Sequence, residues 1–338
     1  MRKASDVSSR RYFPALHPGF SSFRRGLDSV NKTIWPTIFG LRRLRVAVHD
    51  SRLSDDALTA AEIASVVAEG AEVPIQMDLT RFEDDFSLND QESVVGELAL
   101  FGLTALFEGA LEVACAPQLF SHKKLMFAPD PAPWSDQSRI SELGLGWREL
   151  RIGGSALIDD AFGDRYRSNP HFSIDRLPNL EVAFRYWKEV RNCLIHAGGN
   201  ANQNFLDAQA AYLPVKRTDT GLRRKVMISK SGDVAGNPSA SEMLELGDSL
   251  HVTAYGSFNA AEVMLKLATT LDFMIARTPE GEKDVLARLD EGVNQKRWSD
   301  PQYRDKRLIR SLIVKANLPA TSEPEKLLSA LSAFRANA

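Results

Sequence analysis

Arg191, Asn192 and His196 are the residues of this 338-residue chain whose types and spacing can do chemistry. They lie in the run Arg191-Asn192-Cys193-Leu194-Ile195-His196, with Ala197-Gly198-Gly199 directly behind it. A guanidinium, a primary amide and an imidazole suffice in principle to cleave an RNA strand without a metal. RNA carries its own nucleophile, the ribose 2′-hydroxyl, which needs a base to take its proton. The departing 5′-oxygen needs an acid, and the phosphorane between them carries added negative charge. Histidine, with an ordinary pKa near ~6.5, can serve as base or acid at neutral pH. Arginine stays charged and its fork matches phosphate oxygens two at a time. Asparagine can hold the imidazole or a phosphate oxygen by hydrogen bonds.

The element that must position these groups is a helix. From Leu180 the apolar residues run Leu180, Phe184, Trp187, Leu194 and Ile195, one stripe of an α-helix. Pro178 precedes the start, and Gly198 is the residue type that ends a last turn in the left-handed conformation. Arg191 falls within the apolar stripe, where a cation is either tolerated or kept for work. Asn192 and His196 are four apart and share a face, whereas Arg191 and His196 are separated by about 140° around the helix. The arginine therefore bends around the helix end or meets the histidine of a second subunit. The bland alternative is a histidine favoured by the helix dipole beside an arginine paired with a surface carboxylate.

This Arg-Asn-x-x-x-His motif resembles the active-site motif of the HEPN domains (higher eukaryotes and prokaryotes nucleotide-binding). The resemblance covers roughly residues 88 to 277, and only the motif itself is specific. It implies an all-α fold, a HEPN-like helical bundle with a short β-hairpin insertion and flanking helical segments. It also implies a two-fold dimer, in which two copies of the motif share a cleft and supply both base and acid. The implied activity is that of an endoribonuclease needing no cofactor or metal, acting as a toxin with an antitoxin or regulatory partner, or as an abortive-infection effector against phage. On this reading His196 is base or acid, Arg191 stabilises the phosphorane and Asn192 orients. Glu97 and Glu108, on one face of the first helix, are candidate accessory groups; more often such glutamates are solvated or paired. HEPN toxins paired with a minimal nucleotidyltransferase usually carry tyrosine two residues after the histidine. Here that position is Gly198, which weakens that pairing. The rival readings are a catalytically inactive module that binds RNA or a partner protein, and a structural helical protein in which the motif is accidental.

Three segments are expected: a basic N-terminal segment and small helical region (1–87), the bundle (88–277) and a C-terminal helical tail (278–338). Residues 1–50 hold ten Lys/Arg against three Asp, although the whole chain carries a net charge of only −2. That block, with Phe13, Phe20, Phe23 and Trp35, reads either as an RNA-binding arm or as a loosely ordered segment pairing with the acidic residues that follow; the second is favoured. Ser54 to Gly70 reads as an amphipathic helix, and Pro129, Pro131 and Pro133 as a loop.

Residues 90–116 read as one long, largely buried helix capped by Asn89 and Glu92, with Gly102, Ala105 and Gly109 admitting another helix. Its apolar run is too short and too charged for a membrane span. After the motif come a polar turn region, a strand or hairpin at 225–233, and a helix over 240–276. Leu244, Leu250, Met264, Leu267, Leu271 and Met274 are its expected core. Ser322 and Glu325 form a capping box in the tail. Cys115 and Cys193, in apolar patterns, read as buried reduced thiols. His17, His49, His122, His171 and His251 have no partner at ligand spacing, Gly153-Gly154-Ser155 lacks what a hydrolase turn needs, and no phosphate loop is seen. With no early apolar run resembling a secretory signal, the cytoplasm is the expected location.

Overall fold

The structure, a computed structural model, describes residues 15–54, 59, 62, 87–115, 154–294, 298 and 305–337. Its element order is α1 (Pro18–Ser54), α2 (Leu88–Cys115), α3 (Ala156–Arg167), a 3-10 turn (Ile174–Arg176), α4 (Leu177–His196), α5 (Gln203–Tyr212), α6 (Arg217–Thr220), β1 (Val226–Ser229), β2 (Gly232–Ala235), α7 (Ala254–Ala276), α8 (Pro279–Glu291), α9 (Lys306–Lys315) and α10 (Pro324–Ala336). The described residues are thus predominantly helical with one two-stranded antiparallel sheet, the all-α class expected. The hairpin pairs Val226 with Ala235 and Ser229 with Gly232, so its loop is the dipeptide Lys230-Ser231.

The main core joins α1, α2, α4, α5, the hairpin and α7. A second cluster joins α3, α8, α9 and α10 to Leu16 and Phe273. The expected boundary near residue 87 therefore separates two helices, α1 and α2, that pack on each other. Trp187, Phe184 and Phe107 are fully or almost fully buried, each contributing about 2–3 kcal/mol by leaving water. Asn259 accepts from Trp187 Nε1 (3.1 Å) and donates to the Arg224 carbonyl (2.6 Å), while Tyr186 Oη accepts from the Ile228 amide (2.7 Å). These bonds fix the hairpin against α4 and α7.

Several expectations are corrected. Residues 18–54 are a continuous helix, not a loosely ordered arm, because Phe20, Phe23, Ile34 and Ile38 form a buried stripe against its neighbours. Helix α2 is capped by Ser87 and Asp90, whose side chains bond each other (2.6 Å) and each other's backbone amides (3.2 Å each). Glu92 instead pairs with Arg42 at 2.7 Å. The face bearing Gly102, Ala105 and Gly109 is open: a Cβ at either glycine would meet nothing within 4 Å. The close approach is at Gly96, where a Cβ would sit 2.1 Å from the Val252 carbonyl oxygen.

Helix α7 begins at Ala254 rather than 240. Gly247 takes φ +90°, and residues 247–250 bond backbone-to-backbone with residues 199–201, which removes them from a helix. All six expected core residues of that stretch are nevertheless buried. The polar region after the motif contains a helix, α5, capped by Asn202 and burying Phe205, Ala208, Gln209 and Tyr212. In the tail, Glu323 is the N-cap without a side-chain bond, Ser322 Oγ donates to the Asp160 carbonyl and Glu325 pairs with Lys306.

Helix α2 is, by length and composition alone, apolar enough to cross a membrane, contrary to the expectation from its charges. Half of its most apolar window is buried inside the protein. The helix expected over 54–70 falls mostly outside the described residues, and the proline loop and His122 fall wholly outside them.

Candidate functional site

The motif occupies the exposed C-terminal end of α4. Leu177, Leu180, Phe184, Trp187, Val190 and Cys193 form the buried stripe that seats this helix. The stripe does not continue through Ile195, which is 42% exposed. The helix closes as its glycines suggest: Gly198 and Gly199 take φ of +61° and +80°, a region costly for side chains with a Cβ. The amides of Ala197 and Gly199 both donate to the Cys193 carbonyl, at 2.9 and 3.1 Å. Beyond them, the Leu250 amide donates to the Gly199 carbonyl (2.8 Å), so the helix end is tied to the strip leading into α7.

Arg191 is half-buried, as its place on the stripe requires. Its Nη1 donates to Asn192 Oδ1 at 3.2 Å, and its Nε is buried without a partner. Asn192 Nδ2 in turn donates to Glu189 Oε2 at 3.2 Å. Glu189 is only 8% exposed, with Lys188 Nζ 3.8 Å from its other oxygen. A relay Arg191–Asn192–Glu189 thus holds the guanidinium against one side of the helix end. In the sequence Glu189 reads only as a helix former on the side away from the apolar stripe, whereas here it is buried and bonded to Asn192; its position three residues before Asn192, one turn back on the same face, was the available signal. His196 is exposed and, among the described residues, its imidazole makes no hydrogen bond, so the chain brings Arg191 and Asn192 together but does not bond either to that ring.

The candidate accessory glutamates lie elsewhere on α2. Glu97 is half-buried and accepts from Ser93 Oγ at 2.9 Å. Burial pushes its carboxyl above the usual range, against the opposing effects of the Ser93 bond and nearby His251. Ser93 Oγ also accepts from the Val252 amide (3.0 Å). Glu97 therefore borders the same 247–253 strip that ties down the end of α4, without bonding to the motif itself. Glu108 is half-buried, eleven residues further along α2, and bonds to none of the motif residues. Cys115 and Cys193 are free, buried thiols, and burial pushes Cys115 up to about 12.

A cavity of about 700 Å³ opens between α1, the hairpin and α7. Leu27, Trp35 and Phe258 give it apolar walls, and Trp35 and Phe258 stack at 5.3 Å. Its polar groups are perturbed. Burial, reinforced by the charges of Lys266, Arg24 and Arg223, drives the His171 imidazole down to about 4. Burial raises the Glu262 and Asp233 carboxyls. Asn31 Oδ1 and His171 Nδ1 are buried without partners. Sequence spacing carried no sign of this cluster, because its members come from five separate segments. Ser155, adjoining the glycine pair at 153–154, caps α3 through the Ile158 amide and donates to Glu282.

Against known proteins, no family model, curated protein or solved structure matches this chain. The chemistry of the motif, its placement and the helical architecture are what the functional reading stands on.

Proposed function

We propose that this chain is a metal-independent endoribonuclease built on a HEPN-like helical bundle and working as a dimer. The observation that carries the reading is the Arg-Asn-x-x-x-His motif at a solvent-reachable helix end, with Arg191 bonded to Asn192 and the imidazole of His196 exposed. In the proposed step an imidazole takes the ribose 2′-hydroxyl proton, and the oxygen attacks phosphorus. Arg191 stabilises the charge on the phosphorane, and a second imidazole, from the partner copy, protonates the departing 5′-oxygen. The products are a 2′,3′-cyclic phosphate and a free 5′-hydroxyl. Asn192 keeps the guanidinium aimed, and Glu189 fixes the amide of Asn192. A toxin or antiphage effector is the setting in which such an activity fits.

Purified protein incubated with single-stranded and structured RNA in EDTA should yield ends bearing 2′,3′-cyclic phosphate. His196→Ala and Arg191→Ala should each lower that rate by about 10²-fold or more. A metal requirement, full activity in either variant, or a monomer at micromolar concentration that still cleaves would remove the two-imidazole scheme. The second reading, a module that binds RNA or a partner protein without turnover, draws support from the perturbed groups of the α1–hairpin–α7 cavity. Its signature is capture without cleavage, unchanged by His196→Ala.

A further inference from the structure

A second cavity, of about 590 Å³, lies at the opposite end of α4, between the end of α3, the 3-10 turn and the end of α7. The twenty residues of α4 separate it from the motif by about 30 Å. We propose that this cavity is a binding site for a phosphate-class oxyanion. The proposal is independent of the nuclease reading.

Three arginines line it, Arg167, Arg176 and Arg277, each from a different segment. Two already have carboxylates: Arg277 pairs with Asp159 at 2.9 Å and Arg167 with Asp164 at 2.8 Å. Arg176 has no ion pair among the described residues. Its guanidinium lies over Gly221, where a Cβ would sit 2.1 Å from Nη1. Asp159 and Asp175 also belong to the lining, so what a ligand would engage is the guanidinium of Arg176, which has no carboxylate paired with it, rather than an excess of positive charge.

Two further groups await an acceptor. Ser173 is 5% exposed and lines the cavity, yet its Oγ has no partner, although its amide is bonded to Thr270. The Nε of Arg277 is likewise buried without a partner. A buried donor left unmade is unfavourable in the empty protein and is relieved by a ligand rich in acceptors. An oxyanion supplies those acceptors, whereas an amine or a metal ion would meet the cationic side of the site. Phe172 and Phe273 give the cavity an apolar wall. Phosphate could arrive as a free anion or within a nucleic-acid backbone, and the two present the same oxygens.

The test is titration of the full chain with inorganic phosphate against chloride at matched ionic strength, read as a shift in Tm. A parallel titration uses a short 2′-O-methyl oligonucleotide without a terminal phosphate, which His196 could not cut. Wild type should bind one of the two saturably, and Arg176→Ala should weaken that binding about tenfold or more. Arg310→Ala, which removes an exposed charge from α9, should leave it unchanged. Response to phosphate identifies a free anion; response to the oligonucleotide alone identifies a backbone phosphodiester. Absence of saturable binding to both, or equal binding by Arg176→Ala, overturns the site. Because Arg176 is exposed, its variant should fold as wild type in chloride; Ser173→Ala provides a second, buried substitution that should also weaken binding.

Discussion

At the scale of single residues, ionisation reports on burial. The His171 imidazole, held down to about 4 by burial and by the positive charges of Lys266, Arg24 and Arg223, is neutral in the folded protein at pH values where the unfolded ring is already protonated. Between the unfolded value near ~6.5 and the folded value, protons bind preferentially to the unfolded chain. The stability contributed by this group is therefore whole above about pH 6.5 and is lost as pH falls through about 4. Glu262 and Asp233, raised by burial, act in the opposite direction, losing stability as pH rises above the usual carboxylate range. His171→Gln should isolate the first effect. The wild type should lose about 1–2 kcal/mol more than the variant between pH 6.5 and 4, after allowance for solvent screening at a ring that is only partly buried. Denaturant midpoints across that range measure it, and parallel pH profiles for the two proteins would contradict it.

At the scale of elements, α2 carries glycines in two opposite environments. Gly96 is where the helix meets the Val252–Thr253 backbone, and a Cβ would lie 2.1 Å from a carbonyl oxygen that no rotamer change can move. Gly102 and Gly109 face open space in the helix interior. Gly96→Ala should destabilise the protein by about 2–4 kcal/mol through forced separation of packed backbone. Gly102→Ala and Gly109→Ala should each stabilise it by about 0.5–1 kcal/mol, because alanine loses less backbone freedom on entering a helix. The three midpoints in urea decide the matter; a loss at Gly102 or Gly109 would mean that another surface covers that face in solution.

At the scale of the whole molecule, one carboxylate joins three segments far apart in the chain. Asp272, fully buried on α7, accepts from the amides of Leu16 and His17 at 2.8 Å each and bonds His17 Nδ1 at 3.0 Å. Tyr166 of α3 also donates to it. Burial and this carboxylate together push the tyrosine well above the usual phenol range. These bonds fasten the entry to α1 and the second hydrophobic cluster onto the central helix. Asp272→Ala should cost about 3–5 kcal/mol, since the Leu16 and His17 amides, the His17 ring and the Tyr166 hydroxyl would all lose their shared buried acceptor. Tyr166→Phe, which keeps the ring packing, should cost only about 1–2 kcal/mol. Equal losses in the two variants would show that the ring's hydroxyl, rather than the carboxylate, organises the junction.

The sequence by itself determined the helical class, the extent of α4 to within a few residues, its glycine stop and the buried core residues of α7. These follow from local periodicity and cap chemistry, which act over a few residues. It also marked Arg191, Asn192 and His196, because their chemistry is legible in their order. Tertiary structure decided the rest. Residues 247–250 leave the helix because they pair with the backbone at 199–201, and Arg176, Ser173 and Arg277 converge only because α3, α4 and α7 meet. Contacts between residues a hundred positions apart depend on which surfaces bury each other, and no local pattern carries that information.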